Sequence, residues 1–372
     1  MYGQFRVIDA DGHVMEPDAL YDDYLDPGFR PQLAALREAA RARPMQTFFG
    51  LLHTIRSGRP LGAVEPYEPI VRTAGFLEVP KGGWDPRTRL ADMDAEGIDV
   101  AVVFPTGVSS FCALDDPAFE SAMYEAYARW VGEYCLAAPD RPRAVAVVNM
   151  RDPVQGAREI RRWRREAWCV GIYCSGHIDG KLLDHPDLFP LWDAAQGEDL
   201  PICFHGGTAR PPYGCGTFEF AESFFLMHAA TNPFEQMRAL GALIGGGVLE
   251  RFPRLRVAFL EAGVGWVPFW LDRLDEHYER LPAYAPLLSR APSAHVRGPQ
   301  VFVSCDPDES TLPVCVDALG AERILYASDY PHFDSRFPNT AKLIAERPEL
   351  SEEAKRKILG ENARRLYPRL GG

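Results

Sequence analysis

The chain has 372 residues, 47% of them hydrophobic, and 40 basic against 52 acidic side chains give a net charge of -12. That balance excludes a nucleic-acid-binding role built on a basic face, and no apolar run reaches the roughly 18 residues a membrane-spanning helix needs. The amino terminus lacks a signal-peptide pattern. The eight cysteines form no Cys-x-x-Cys pair and read as buried free thiols of a reducing compartment, so a cytoplasmic protein is expected.

Short apolar, β-branched runs recur between amphipathic helical stretches, the pattern of parallel strands with crossover helices. Eight runs are predicted as strands: Phe5 to Asp11, Val100 to Phe104, Ala144 to Asn149, Cys169 to Cys174, Pro201 to His205, Arg256 to Glu261, Val301 to Cys305 and Ile324 to Asp329. Eight such units predict an α/β fold, a (β/α)8 TIM barrel in a single domain over residues 1–372. A doubly wound open sheet is the runner-up, but an acid and histidine cluster follows the first strand where that fold places a Gly-rich phosphate turn.

Two insertions interrupt the rhythm, at 14–90 and 206–255. The first carries an apolar stretch around Phe48, Phe49, Leu51, Leu52 and Ile55, read as core or dimer surface, the other reading being a lid. Arg158, Arg161, Arg162, Arg164 and Arg165 crowd together; they read as the solvated face of an outer helix, the other reading being a landing site for a phosphorylated carrier such as coenzyme A. A terminal helix is expected from Glu352 to Tyr367.

The strand ends carry the chemistry, because active sites of this fold lie on the carboxyl-terminal face. In Asp9-Ala10-Asp11-Gly12-His13 regular alternation puts Asp9, Asp11 and His13 on one face, with Glu16 just past the strand end. Strand five ends in His205, strand six in Glu261, and strand eight in Asp329, followed by His332. Any one of these reads as a cap or a satisfied polar group; four strand ends converging in one barrel read as a metal site. His228 in Phe225-Leu226-Met227-His228 is a further ligand candidate or a core histidine, and Glu309 beyond strand seven is a ligand candidate or a helix cap.

These positions resemble the amidohydrolase superfamily, in particular the branch of decarboxylases acting on aminocarboxymuconate semialdehyde and resorcylate. The resemblance puts metal ligands at Asp11, His13, His205 and Asp329 and departs at Asp11 and Glu261, where many relatives have histidine. Hard oxygen ligands favour iron or manganese over zinc. Asp11-Gly12-His13-Val14-Met15-Glu16-Pro17, Leu260-Glu261-Ala262-Gly263-Val264-Gly265-Trp266 and Ser328-Asp329-Tyr330-Pro331-His332 look more closely like a TIM-barrel group of nonheme di-iron monooxygenases from platensimycin and platencin diterpenoid biosynthesis.

That second resemblance implies two Fe ions held by Asp11, His13, Glu16, His205, His228, Glu261 and Asp329. It implies catalytic roles for Glu261, Asp329 and His332, an external electron donor, and hydroxylation of an apolar, CoA-linked acyl substrate with O2. A homodimer is expected by resemblance, and Phe48, Phe49, Trp266 and Phe269 are expected to line an apolar pocket. The alternative is a mononuclear Zn or Mn hydrolase or nonoxidative decarboxylase in which Asp329 or His332 moves protons. A barrel without catalysis, serving as a binding subunit, is the third reading.

Overall fold

The computed structural model describes residues 1–17, 19–41, 81–108, 112, 114–205, 220, 224–332 and 334–371. The apolar stretch with Phe48 and Phe49 lies outside the described residues, as does most of the glycine-rich part of the second insertion. Eight parallel strands form the barrel: β1 (Ile8–Val14), β2 (Val100–Pro105), β3 (Pro142–Val147), β4 (Cys169–Cys174), β5 (Ile202–His205), β6 (Val257–Leu260), β7 (Val301–Cys305) and β8 (Ile324–Tyr326). Their order in the sheet is their order in the chain, and the predicted barrel is observed.

Closure falls between β1 and β8. The Asp329 amide donates to the Asp11 carbonyl at 3.0 Å, and the His13 amide to the Tyr330 carbonyl at 2.7 Å. The strands are buried on both faces, which is why they read as apolar runs without polar alternation. Phe204 and Phe259 of the barrel stack at 5.6 Å, and Trp192 of helix Phe189–Gly197 packs edge-on against Phe204; all three are fully buried.

Three of the flanking helices start on an Asp-Pro pair. Asp85, Asp116 and Asp152 each accept a backbone N–H of the first turn, and Pro86, Pro117 and Pro153 follow in the position where a missing N–H costs nothing. The arginine run sits on and after helix Pro153–Trp163, whose Ala157, Ile160 and Trp163 are buried. Arg162 pairs with Glu125 at 2.9 Å and Arg164 donates to the Glu198 carbonyl at 2.9 Å, so these cations serve the outer layer of the barrel.

Strand bounds differ from the prediction where the chemistry lies. β1 starts later and runs through Asp11 and His13 to Val14, whereas β6 and β8 stop before Glu261 and Asp329. Both acids occupy left-handed backbone positions, at φ 53° and 55°, a conformation non-glycine residues rarely adopt and that ends a strand. A short antiparallel hairpin, His177–Ile178 with Lys181–Leu182, follows β4 and was not predicted. The expected terminal helix runs without a gap from Glu352 to Leu366, with a π-helical turn at Lys357–Glu361 in its middle. Seven cysteines among the described residues are free and buried, and no helix among them is long and apolar enough to cross a membrane.

Candidate metal centre

Regular alternation predicts Asp9 beside Asp11 and His13, but β1 breaks register against β2 between Asp9 and Gly12. Such an irregularity re-aims the side chains on one side of it. Asp9 accepts from the Ser328 amide at 2.9 Å and the Ser328 hydroxyl at 2.5 Å. Asp11 and His13 instead meet His205 from β5.

Three donor atoms converge there. His13 Nε2 lies 3.1 Å from His205 Nε2, and Asp11 Oδ1 lies 3.5 Å from the first and 3.6 Å from the second. Each imidazole is held through its other nitrogen. His13 Nδ1 donates to the Pro105 carbonyl at 3.2 Å, and His205 Nδ1 faces Glu261 Oε2 at 2.9 Å. A carbonyl only accepts and an ionised carboxylate only accepts, so both Nε2 atoms present lone pairs to one point. Asp11 Oδ1 is buried and has no hydrogen-bond partner.

Ligands about 2.0–2.2 Å from one ion stand about 2.8–3.6 Å apart between adjacent octahedral and tetrahedral positions. The three atoms therefore fit a divalent cation when both imidazoles are neutral, with the orphaned Asp11 oxygen as the third ligand. Asp329 Oδ1, 3.4 Å from His13 Nε2, lies at the edge of the same set.

The electrostatics agree. Burial pushes the His13 pKa down to about 4, aided by the neighbouring His332 and His205. Burial also opposes charge on His205, yet Glu261 and Asp11 outweigh it and hold its pKa well above the ordinary value. Asp11 and Glu261 are held below the usual carboxylate range: burial opposes this, and the facing His205 overcomes it. Without an ion, the cluster draws a proton onto His205 as its positive charge.

Around this centre, Asp329 is pushed well above its ordinary pKa by burial and then by Glu261, Asp334 and Asp11. Its Oδ1 lies 2.7 Å from His332 Nδ1. His332 Nδ1 is also 4.0 Å from Glu261 Oε1, and burial lowers its pKa.

The remaining expected residues stand elsewhere. Both oxygens of Glu16 are taken by backbone amides at the end of β2, Thr106 and Gly107, each at 2.9 Å. His228 lies on helix Phe224–Gly245 with Nε2 3.8 Å from Asp334 Oδ2. Neither belongs to the two donor clusters among the described residues, Asp11–His13–His205 and His13–Asp329–His332. Glu309 accepts from the amides of Val264 at 2.9 Å and Gly265 at 2.7 Å in the turn before helix Trp266–Arg280, and it caps neither that helix nor the one after β7. Trp266 is buried, donating to the Gly263 carbonyl at 3.0 Å, while Phe269 is exposed.

Two participants went unpredicted. Thr106 joins His332 to the end of β1, and only its place in Phe104-Pro105-Thr106-Gly107, where an apolar strand meets a Pro-Gly turn, marks it. Arg89 is buried and donates to the carbonyls of His13, Gly82 and Tyr330. Nothing in its sequence surroundings signals that.

Known proteins resemble this chain along most of its length. It is 26% identical over 291 residues to a 2-amino-3-carboxymuconate-6-semialdehyde decarboxylase of Dictyostelium discoideum, covering 77% of this chain and 78% of that protein. It is 25% identical over 325 residues to a gamma-resorcylate decarboxylase of Polaromonas, covering 81% and 94%. The fold is similar to that of a 5-carboxyvanillate decarboxylase of Novosphingobium aromaticivorans solved with manganese and 3-methoxy-4-hydroxy-5-nitrobenzoic acid, with TM-score 0.74, 22% identity and coverage of 98% and 97%. A family model described as amidohydrolase matches residues 8–369, and the chain belongs to that family.

Proposed function

We propose that the protein is a metal-dependent lyase that removes a carboxyl group, without oxidation, from a small aromatic or unsaturated acid. The observation that carries this reading is the convergence of Asp11 Oδ1, His13 Nε2 and His205 Nε2 beside the Asp329–His332 pair. It is supported by the decarboxylases among the relatives and by the manganese and benzoic acid analogue in a similar structure. Asp11, His13 and His205 would hold the ion, with Asp329 at its edge; manganese or zinc suits the mixed oxygen and nitrogen set. A divalent ion there supplies Lewis acidity and a fixed point for a substrate oxygen.

The chain's own residues supply the proton. Loss of CO2 breaks the bond between the carboxyl carbon and the carbon that bears it, and that carbon keeps the electron pair and takes up one proton. The Asp329–His332 pair holds such a proton: Asp329 is an acid with a raised pKa, hydrogen-bonded to an imidazole whose pKa is lowered. With that proton in place, the charges of Asp11 and Glu261 match one divalent ion. Glu261 orients His205 through Nδ1.

The test is CO2 release from a panel of hydroxybenzoates and carboxymuconate-type acids by protein loaded with manganese or zinc, in the absence of oxygen. Turnover at one ion per chain is expected. Inactivity across the panel, together with two irons per chain and substrate-dependent oxygen uptake, would overturn it.

That outcome defines the second reading, a di-iron monooxygenase acting on a CoA-linked apolar acyl group with an external electron donor. The observation favouring it is the crowding of three carboxylates, Asp11, Glu261 and Asp329, around one point. Replacing the proton on Asp329 by a second cation would balance them equally well.

A further inference from the structure

We propose that Thr106 is a positioning residue that fixes the tautomer of His332 and thereby the direction of the Asp329–His332 hydrogen bond; this rests on the proton-donor role proposed above. Around the Thr106 Oγ1 atom stand the Val14 carbonyl at 2.8 Å, His332 Nε2 at 2.9 Å and His13 Nδ1 at 3.5 Å. A hydroxyl has one proton to give. The Val14 carbonyl can only accept, so a 2.8 Å contact between two oxygens is attractive only with the hydroxyl proton between them. His332 Nε2 must then be the donor to Thr106. The third neighbour, His13 Nδ1, has its own acceptor in the Pro105 carbonyl.

The polarity of the chain follows from that one carbonyl. Neutral His332 with its proton on Nε2 presents a lone pair at Nδ1, and the partner 2.7 Å away is Asp329 Oδ1. Where His332 is neutral, the proton in that contact comes from Asp329, and the order runs Asp329 to His332 to Thr106 to Val14. The opposite tautomer would point an N–H at Asp329 and leave two lone pairs facing each other across the Thr106 contact.

The hydroxyl is itself held in place. Glu16 grips the Thr106 and Gly107 amides with both oxygens, and the Val14 carbonyl belongs to the strand that carries Asp11 and His13. The end of β2 is thereby tied to β1 on both sides of the hydroxyl. Glu16 serves here as a clamp on the turn that presents Thr106.

The test compares zinc-loaded wild-type, Thr106→Ser, Thr106→Val and Thr106→Ala proteins. Ring-nitrogen NMR of histidine-labelled protein, with the His332 signals assigned by their loss in His332→Gln, reads the tautomer directly. Wild type and Thr106→Ser are expected to show the Nε2–H form, and Thr106→Val to lose it. Zinc content should stay unchanged, and kcat for CO2 release should fall about 10–100-fold with KM within about twofold, the scale of losing a partner of a metal-site group. Thr106→Ala replaces Thr106→Val if the isosteric variant does not fold by circular dichroism. An unchanged His332 spectrum in the folded variant lacking the hydroxyl overturns the proposal, whatever the activity. If the tautomer shifts as expected while wild type releases no CO2 from any acid, the decarboxylase reading fails and the Thr106 assignment stands.

Discussion

His13 and His205 face each other through their Nε2 atoms at 3.1 Å, and each has its Nδ1 proton committed to an acceptor on the far side. With both imidazoles neutral, two lone pairs at that distance repel unless a proton or a metal ion lies between them, and Asp11 Oδ1 completes the third corner for an ion. His205→Ala removes one corner and the partner of Glu261. The expected result is loss of bound metal and of CO2 release, with the barrel still folded by circular dichroism. Undiminished metal content by elemental analysis would remove His205 from the ligand set.

Glu261→Gln separates the two readings of the centre. If Glu261 acts through His205 Nδ1, as its 2.9 Å contact implies, the amide still accepts that N–H but loses the charge, and metal affinity should fall about 10–100-fold. Stoichiometry at saturating metal stays at one ion per chain. If Glu261 binds a second ion, the variant should drop from two ions to one. Titration with manganese and with ferrous iron under anaerobic conditions distinguishes these results.

Much of the barrel was legible because parallel strands are buried on both faces, so β2, β4 and β7 read as apolar runs with bounds within one residue of those observed. The strand-end acids and histidines were legible as a set for the same reason: polar residues closing apolar runs. Their roles were not. Alternation placed Asp9 with Asp11 and His13, and the register break before Gly12 undoes it. Glu16 has the spacing of a ligand, yet its carboxylate is spent on two amides brought to it by β2. The partners that decide such roles come from strands remote in sequence, which spacing along one segment does not encode.

Arg89 shows the same gap and a testable consequence. Its guanidinium is buried, stacks over the Tyr330 ring at 4.6 Å, and donates to the carbonyls of His13, Gly82 and Tyr330. Those carbonyls flank the point where β1 and β8 close the barrel. Arg89→Met keeps the bulk and removes a charged donor; the Tyr330 carbonyl keeps the His13 amide and the Gly82 carbonyl keeps the Tyr134 hydroxyl, so what is lost is the hydrogen bonding of a charged group, about 1.5–3 kcal/mol per bond. A loss of about 2–4 kcal/mol in stability is expected, read from the denaturant midpoint. A change below about 0.5 kcal/mol would mean that water replaces the guanidinium and that closure does not depend on it.

Glu16 gives a pH dependence with a definite sign. Burial raises its pKa from 4.5 to about 7, against the lowering effect of the Gly107 and Thr106 amides. Between those values the folded protein holds a proton that the unfolded chain has released, so folding takes up protons and stability falls as pH rises. The contribution is fully favourable below the unfolded value and gone above about 7, a difference of at most about 3.5 kcal/mol at about 1.4 kcal/mol per unit. Glu16→Gln cannot release a proton, and one of its amide atoms cannot accept from the Thr106 or Gly107 N–H. It should therefore be less stable than wild type at pH 5 and recover relative to it as pH approaches 8. Parallel stability curves for the two proteins across that range would show that Glu16 titrates as an ordinary carboxylate, its two amide bonds outweighing its burial.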